Sequence, residues 1–352
     1  MEHTTNDFGR NPRRRYRTHK PRIAALDLGT NNCRLLVAEP TEHGFEVVDS
    51  FSRIVRLGEG LGRTNRLSEG AMSRTIRALR ICKQIIERSN VIKLRCVATE
   101  ACRRADNGPA FLTRVKRATG LEIDILEQTQ EAELAMLGCL PLIDHAADHV
   151  LMVDIGGGST ELLHVDRGID SAAPNRTVSL PIGVVTLTEA FDAADGRHTY
   201  GDMVDFVRDL VRDRGGDQLL HEHDDEPDPN LDMAANVQML GTSGTVTTLA
   251  ALHLGLRHYD RRKVDGVSLS FASIDAVSRY VRNLHPAALA SHPCIGRGRA
   301  DLVVAGCAIL DVVHEIWPVP GLRVADRGVR EGILNSLLGL DLAQAMSSRH
   351  LN

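Results

Sequence analysis

The sequence predicts an α/β fold of two duplicated lobes, each built on a mixed sheet, with a central cleft between them. Three observations predict it. A strand–turn–strand–turn–strand pattern at residues 23–52 recurs at 150–180, an Asp-Gly turn joins the first two strands of each copy, and the period becomes helical between and after these blocks.

Ile23 to Gly29 reads as a buried strand, Thr30-Asn31-Asn32 as a tight turn, Cys33 to Glu39 as the returning strand, and Phe45 to Ser52 as a third strand after the turn Glu42-His43-Gly44. In the second copy Val150 to Gly156 is the strand, Gly157-Gly158 the turn, Ser159 to Val165 the return, with a further strand before Leu180. DLGTNNCRLL and DIGGGSTELL share Asp, Gly and the final Leu-Leu at an offset of 127 positions, which marks an internal duplication. Met72, Ile76, Leu79, Cys82 and Ile86 follow a Ser68 N-cap at helical spacing. Lys93 to Ala98 is a strand, Pro109 to Ala118 a helix stopped by Gly120, Glu122 to Leu126 a strand, and a helix begins near Thr129, which can act as N-cap. Helices are expected near 184–194, 200–214, 244–254, 272–283, 299–316 and 327–338, with strands near 237–241 and 321–325. The predicted division is an arm over 1–22, a first lobe over 23–140, a second over 141–326, and a C-terminal helix over about 327–345 that packs back on the first; 221–230 reads as a loop insertion.

Composition narrows the function classes. A net charge of -4 on 352 residues is too weak a field to nominate nucleic acid or an anionic membrane as the partner. The exception is the arm, where seven Lys and Arg crowd residues 10–22; it reads as a disordered solvated tail or as a polyanion tether. Seven cysteines without C-x-x-C spacing argue against a disulfide framework and a cysteine-rich zinc site, so the thiols are expected reduced and buried. No apolar stretch is long enough to span a bilayer, and a soluble cytoplasmic protein is expected.

The chemistry resides in the turns. An Asp at a strand end followed by glycines and small hydroxyl residues leaves backbone N–H groups unobstructed, which forms an anion nest. Asp154 with Gly156, Gly157, Gly158, Ser159 and Thr160 therefore reads as a phosphate cradle beside a metal-holding carboxylate, and Asp27, Gly29, Thr30, Asn31 and Asn32 as its mirror. One such turn is more often structural; two matched turns point to function. Magnesium needs only one or two carboxylates together with water and phosphate oxygens, so one Asp per turn suffices. The copies diverge where Arg34 stands opposite in kind to Glu161. Arg34 can clamp a phosphate bidentately and Glu161 can hold a metal, a water or a cation, unless the two form an interdomain salt bridge. Gly241-Thr242-Ser243-Gly244-Thr245, between a strand and an alanine-rich helix, either presents free N–H groups to a phosphate or nucleotide or is an ordinary tight connection. His145, His149 and Cys139 lack a partner set for zinc. Arg261-Arg262-Lys263 extends a polyanion path or is a surface loop.

These motifs, with TEACRRADN from Thr99, the pair Glu131-Ala132, RAD at Arg299 and GVREGIL from Gly328, occur in the order seen in the exopolyphosphatase and guanosine pentaphosphate phosphatase family, which the chain resembles over about 23–340. The resemblance implies actin-like (ribonuclease H-like) lobes in a short two-domain form, a homodimer, and a hydrolase acting on phosphoanhydride bonds of polyphosphate or of a stringent-response alarmone. It implies Glu131 as the group that orients or deprotonates water, against the plain reading of a first-turn acid favoured by the helix dipole. It also implies Asp154 and Glu161 as metal holders, Arg103 as a phosphate-binding arginine, and Asn107 as support for that turn. Gln130 stands where many members carry a second Glu, and Asn32 where Ser is commoner. The expected mechanism sets the terminal phosphates between the two turns, Mg2+ on Asp154, and an in-line water at Glu131, with Arg34, Arg103 and Arg299 holding the remaining chain and the Gly241 turn touching distal phosphates or a guanosine. A kinase or ATPase of the same superfamily and a non-catalytic alarmone or polyphosphate binder are the other readings.

Overall fold

The computed structural model describes residues 20–167, 176–192, 199–216, 237–342 and 346. Residues 1–19 of the expected arm and the 221–230 insertion fall outside them, and Arg22, the last residue of that arm, opens the first strand.

The first sheet is built from the hairpin block. β1 (Arg22–Leu28), β2 (Asn32–Thr41) and β3 (Gly44–Ile54) pair antiparallel in succession, and β4 (Val91–Ala98) returns parallel to β1, giving the order β3-β2-β1-β4-β5 with the short β5 (Asp124–Ile125) at the edge. The expected strand over 122–126 shrinks to those two residues, which pair only with Val97 and Ala98. The connection from β3 to β4 is the helix Glu69–Arg88, whose Ser68 N-cap accepts a hydrogen bond from the Ala71 N–H. Its apolar stripe of Met72, Ile76, Leu79, Cys82 and Ile86 packs on one face of the sheet. The helix Gly108–Thr119 ends on Gly120 in the left-handed region, φ 72°.

The second sheet repeats the plan. β6 (His149–Ile155), β7 (Thr160–Asp166) and β8 (Arg176–Leu180) form the antiparallel block, β9 (Val237–Thr242) runs parallel to β6, and β10 (Ser268–Ser270) and β11 (Gly321–Ala325) complete the order β10-β11-β9-β6-β7-β8. The duplicated strands β1 and β6 thus hold the same place in each hairpin block. The helix expected from 299 starts at Val303, after a turn through Arg299–Leu302.

Two helices join the lobes behind the cleft. The helix Gln128–Cys139 and the helix Val329–Leu337 pack on each other, and the second also lies on β1, so Ile333 and Leu334 share a buried cluster with Ile23, Ala25 and Leu36. Thr129 is not the N-cap. Glu127 holds that place, and its N–H donates to Gln130 Oε1 at 3.3 Å. The glutamine at 130 therefore fixes the start of the helix that carries Glu131. All seven cysteines are buried and unbridged, and Cys33 packs with its sulfur 3.9 Å from that of Cys82. Among the described residues no helix is long and apolar enough to cross a membrane.

Candidate active site

The duplication is visible atom by atom. Gly29 N–H donates to the Asn32 carbonyl at 2.9 Å, and 127 positions on, Gly156 N–H donates to the Ser159 carbonyl at 2.9 Å. Across the ladders Asp27 faces Arg34 and Asp154 faces Glu161, so the divergent pair occupies equivalent positions.

Each turn has its carbonyls held from behind. Thr30 and Asn31 carbonyls accept from Gly58, Val55 and Arg56, while the Gly156 and Gly157 carbonyls accept from Val184 and Val185 at 3.0 and 2.8 Å. A trans peptide sets the N–H of the next residue opposite to each carbonyl, so the N–H groups of Asn31, Asn32, Gly157 and Gly158 turn away from those supports. The two turns also meet. A Cβ at Gly157 would lie 3.2 Å from Asn31 N, and one at Gly158 would lie 2.7 Å from Thr30 Oγ1. Only residues without a side chain allow this approach. Thr30 Oγ1 and Asn31 Oδ1 are buried there without a hydrogen-bond partner among the described residues, which leaves them available to a ligand or water.

Both turns open into one cleft of about 450 Å³ between the lobes. Its wall includes Asp27, Gly29 to Asn32, Arg34, Glu131, Asp154, Gly156 to Ser159, Glu161, Ser243, Gly244 and Arg299. Three expected residues are off that wall. Arg103 lies behind it, with Nη1 donating to Glu131 Oε2 (3.0 Å) and to the Leu126 carbonyl (2.7 Å) and Nη2 donating to Glu100 Oε2 (2.8 Å). Nη1 and Nη2 are engaged by the protein and Nε is buried without a partner among the described residues, so the placement is that of a residue orienting Glu131 from outside the cleft lining. Thr160 is fully buried, and its hydroxyl donates to the Ile182 carbonyl. Gly241 lies in β9 and faces Val246 and Leu322, so of the third turn only the part from Thr242 onward reaches the cleft. No Arg34–Glu161 salt bridge forms: Glu161 Oε1 accepts from Ser179 Oγ at 3.2 Å. Asn107 bridges the backbone of Leu67 from both sides of its amide, accepting from its N–H and donating to its carbonyl. His149 faces His164 Nε2 at 3.2 Å, while Cys139 lies in the core.

Four carboxyls surround the turns, Glu131 and Glu161 buried and Asp27 and Asp154 half-buried. Burial pushes Glu131 up to about 8; the Arg103 guanidinium opposes the rise, and the charges of Asp154 and Asp27 add to it. Burial also raises Asp154, against its bond from Ser243 Oγ (2.5 Å) and the Arg34 charge, and raises Glu161 well above the carboxylate range with Glu131 and Asp154 adding to the shift. Asp27 is raised by burial while Arg34 and Arg330 pull it back. Ser243 takes φ 73°, a conformation that a non-glycine residue adopts at a cost of about 1–3 kcal/mol; here it delivers the hydroxyl to Asp154.

The sequence reading missed Gly183, Glu100, Arg261 as a cleft residue, and Arg330. Gly183 backs the second turn so closely that its Cβ would lie 2.5 Å from the Gly156 carbonyl oxygen. Arg330 stands inside the quoted GVREGIL block, which was the available signal; Gly183 had none. Outside the cleft lining, Arg56 Nη2 reaches Asp301 Oδ2 at 2.9 Å and Gly60 N–H donates to Glu189 Oε1 at 2.9 Å, tying the lobes together.

Two mixed sheets, each carrying the same hairpin and facing one cleft, define a protein of the actin-like two-lobe class. The chain belongs to the Ppx/GppA phosphatase family, whose model matches residues 36–340. It is 29% identical over 339 residues to exopolyphosphatase 2 of Mycobacterium tuberculosis, covering 90% of this chain and 99% of that protein. It is 28% identical over 335 residues to a bifunctional 3-dehydroquinate synthase/phosphatase of Fusobacterium nucleatum, where the match covers 89% of this chain but only 46% of that longer protein. The crystal structure of the Aquifex aeolicus Ppx/GppA family member superposes with a TM-score of 0.71 at 29% identity over 91% of this chain and 98% of that one. An exopolyphosphatase from Cytophaga hutchinsonii shares the fold, with a TM-score of 0.79 at 21% identity over 91% of this chain and 99% of that one.

Proposed function

We propose that this protein is a magnesium-dependent phosphohydrolase that releases the terminal phosphoryl group of polyphosphate or of guanosine pentaphosphate as orthophosphate. The observation that carries the reading is the pair of equivalent turns abutting in one cleft, with the buried Glu131 carboxyl on the same wall. The terminal phosphoryl group is bound by the outward N–H groups of the turns, with Thr30 and Asn31 side chains as further partners. Glu131, oriented by Arg103, holds a water in line with the terminal phosphorus and accepts its proton. The exopolyphosphatase relative supports phosphoanhydride chemistry.

The residues suit a magnesium ion. Asp154, half-buried, and Glu161, buried, face each other across β6 and β7, and their hydrogen bonds come from serine hydroxyls rather than from arginines. Among the described residues no three His, Cys, Asp or Glu converge as a ready metal cage, and magnesium does not require one, since water and substrate oxygens complete its shell. When bound, the ion neutralises phosphate charge. Asp154 and Glu161 are its holders in this reading.

A stability test follows from the raised carboxyls. Native Glu131 retains its proton up to about 8, whereas the unfolded chain loses it near 4.5, the ordinary value of a glutamate, so the metal-free fold loses stability as pH rises through that window. Mg2+ binds the ionised carboxylates, so the rise in melting temperature on adding it should be larger at pH 8 than at pH 6. A melting temperature that climbs with pH in EDTA, or an Mg2+ shift independent of pH, contradicts this. Function is tested by measuring phosphate release with Mg2+ from polyphosphate, guanosine pentaphosphate and ATP side by side. Release from either of the first two supports the reading; binding without release defeats it.

A further inference from the structure

The segments that hold the two turns from behind are joined to each other outside the cleft. In the first lobe Val55 and Arg56 N–H donate to the Asn31 carbonyl at 2.8 and 3.0 Å, and Gly58 N–H donates to the Thr30 carbonyl at 3.0 Å. In the second lobe the helix Val184–Asp192 begins on the other turn, through the N–H groups of Val184 and Val185. Glu189, further along that helix, reaches across to the first lobe, where its Oε1 accepts the Gly60 N–H at 2.9 Å. Thr188 beside it donates from Oγ1 to the Asp301 carbonyl at 3.2 Å, and the Asp301 carboxylate takes Arg56 Nη2 at 2.9 and 3.2 Å.

The two ends of this clasp are stiff. Arg56 takes φ 46°, a conformation that a non-glycine residue keeps only where its surroundings hold it there, and Arg74 holds the Val55 and Arg56 carbonyls from Nε and Nη2 at 3.0 and 3.3 Å. Gly58 lies so close to the first turn that a Cβ on it would stand 2.3 Å from Thr30 Cγ2. Residues 55–60 therefore move with the first turn, as the helix Val184–Asp192 moves with the second. The carboxylate of Glu189 is also a costly choice for one backbone bond, because its Oε2 is shut off from water without a partner among the described residues. What a carboxylate adds over a neutral acceptor is a stronger, charge-assisted bond. The helices Gln128–Cys139 and Val329–Leu337 join the lobes behind the cleft, and the clasp is a second point of attachment.

We propose that Glu189, assisted by the Arg56–Asp301 pair, is a positioning residue that fixes the spacing of the two phosphate-binding turns from outside the cleft. The proposal rests on the phosphohydrolase reading for its effect on turnover. Without the clasp the turns spend part of their time apart, and a substrate that touches both must supply the free energy to bring them together. Apparent affinity then falls by the fraction of molecules with the turns in place, while chemistry in the closed complex is intact. KM rises and kcat stays. Damage to the fold would instead lower kcat through loss of active protein.

Phosphate release from inorganic tripolyphosphate with Mg2+ reads the first consequence. Glu189→Ala should raise KM about 10–100-fold, the usual worth of a hydrogen bond to a charged group, and leave kcat within about 2-fold. Glu189→Gln should fall between, since a neutral acceptor keeps about half the strength. Arg56→Asp or Asp301→Arg alone sets like charges face to face, and the two together restore the pair, so KM should rise in each single variant and return in the double one. The second consequence is read without turnover. Spin labels on cysteines introduced by Glu42→Cys in the first lobe and Ala276→Cys in the second, both exposed positions in a chain whose own cysteines are all buried, report the distance between lobes. Glu189→Ala should add a longer distance population that tripolyphosphate in EDTA removes. A single distance population in Glu189→Ala, or a fall in kcat with KM unchanged, overturns the proposal. The two readings fail separately: a second population without phosphate release from any substrate keeps the clasp and removes the hydrolase, whereas release with one population does the reverse.

Discussion

Glu131→Gln should lower phosphate release from polyphosphate about 10²–10⁴-fold, the usual cost of losing a water-orienting base, with little change in KM. The substitution is close to isosteric, and the amide oxygen of Gln can still accept from Arg103 Nη1, which reaches the carboxylate at 3.0 Å in the wild type. Stability should not fall with it. Burial holds the Glu131 carboxyl up to about 8, so a neutral amide removes a group that the fold ionises reluctantly. At pH 8 the variant should melt at or above the wild-type temperature, which separates loss of chemistry from loss of structure. Full turnover in Glu131→Gln would remove this residue from the mechanism.

Gly183→Ala should reduce kcat/KM about 100-fold, because a shift of roughly 1 Å in a group that positions substrate has that order of effect. The added methyl would lie 2.5 Å from Gly156 O, 2.6 Å from Gly157 C and 2.7 Å from Gly158 N, all backbone atoms that cannot rotate aside. The second turn must move, and the first turn already stands against it, with Asn31 N 3.2 Å from the Cβ position of Gly157. The stability cost should be the ordinary one for overpacking, about 1–3 kcal/mol, read from a denaturation midpoint. Gly62→Ala, where a methyl meets nothing within 4 Å, is the control. Equal activity in Gly183→Ala and Gly62→Ala would mean that the spacing of the second turn does not matter.

The fold was legible where its determinants are local. Alternation and turn residues set β1 to β3 and β6 to β8, and capping chemistry set the helix that starts after Ser68 and the one that ends at Gly120. The Asp-Gly pattern also predicted that both turns would share a cleft, since duplicated hairpins in like lobes present the same end to each other. What local pattern does not encode is which side chain is claimed by a distant neighbour. The family resemblance singles out Arg103 as a phosphate-binding arginine, but Glu131, 28 residues further along the chain, accepts from its Nη1, a contact that no local motif announces. Gly183 matters only because the Gly156–Gly158 turn folds onto it. The helix start fell to Glu127 rather than Thr129 because Gln130 reaches back to the Glu127 N–H.

The central claim is that water, aligned by Glu131, attacks the terminal phosphorus of a chain seated on both turns. Hydrolysis of tripolyphosphate in ¹⁸O-water with Mg2+ tests it directly by mass spectrometry of the products. The account predicts solvent oxygen in the released orthophosphate, none in the pyrophosphate formed in the first turnover, and loss of the labelled product in Glu131→Gln. Label in the pyrophosphate instead, or orthophosphate released without solvent oxygen, would contradict it.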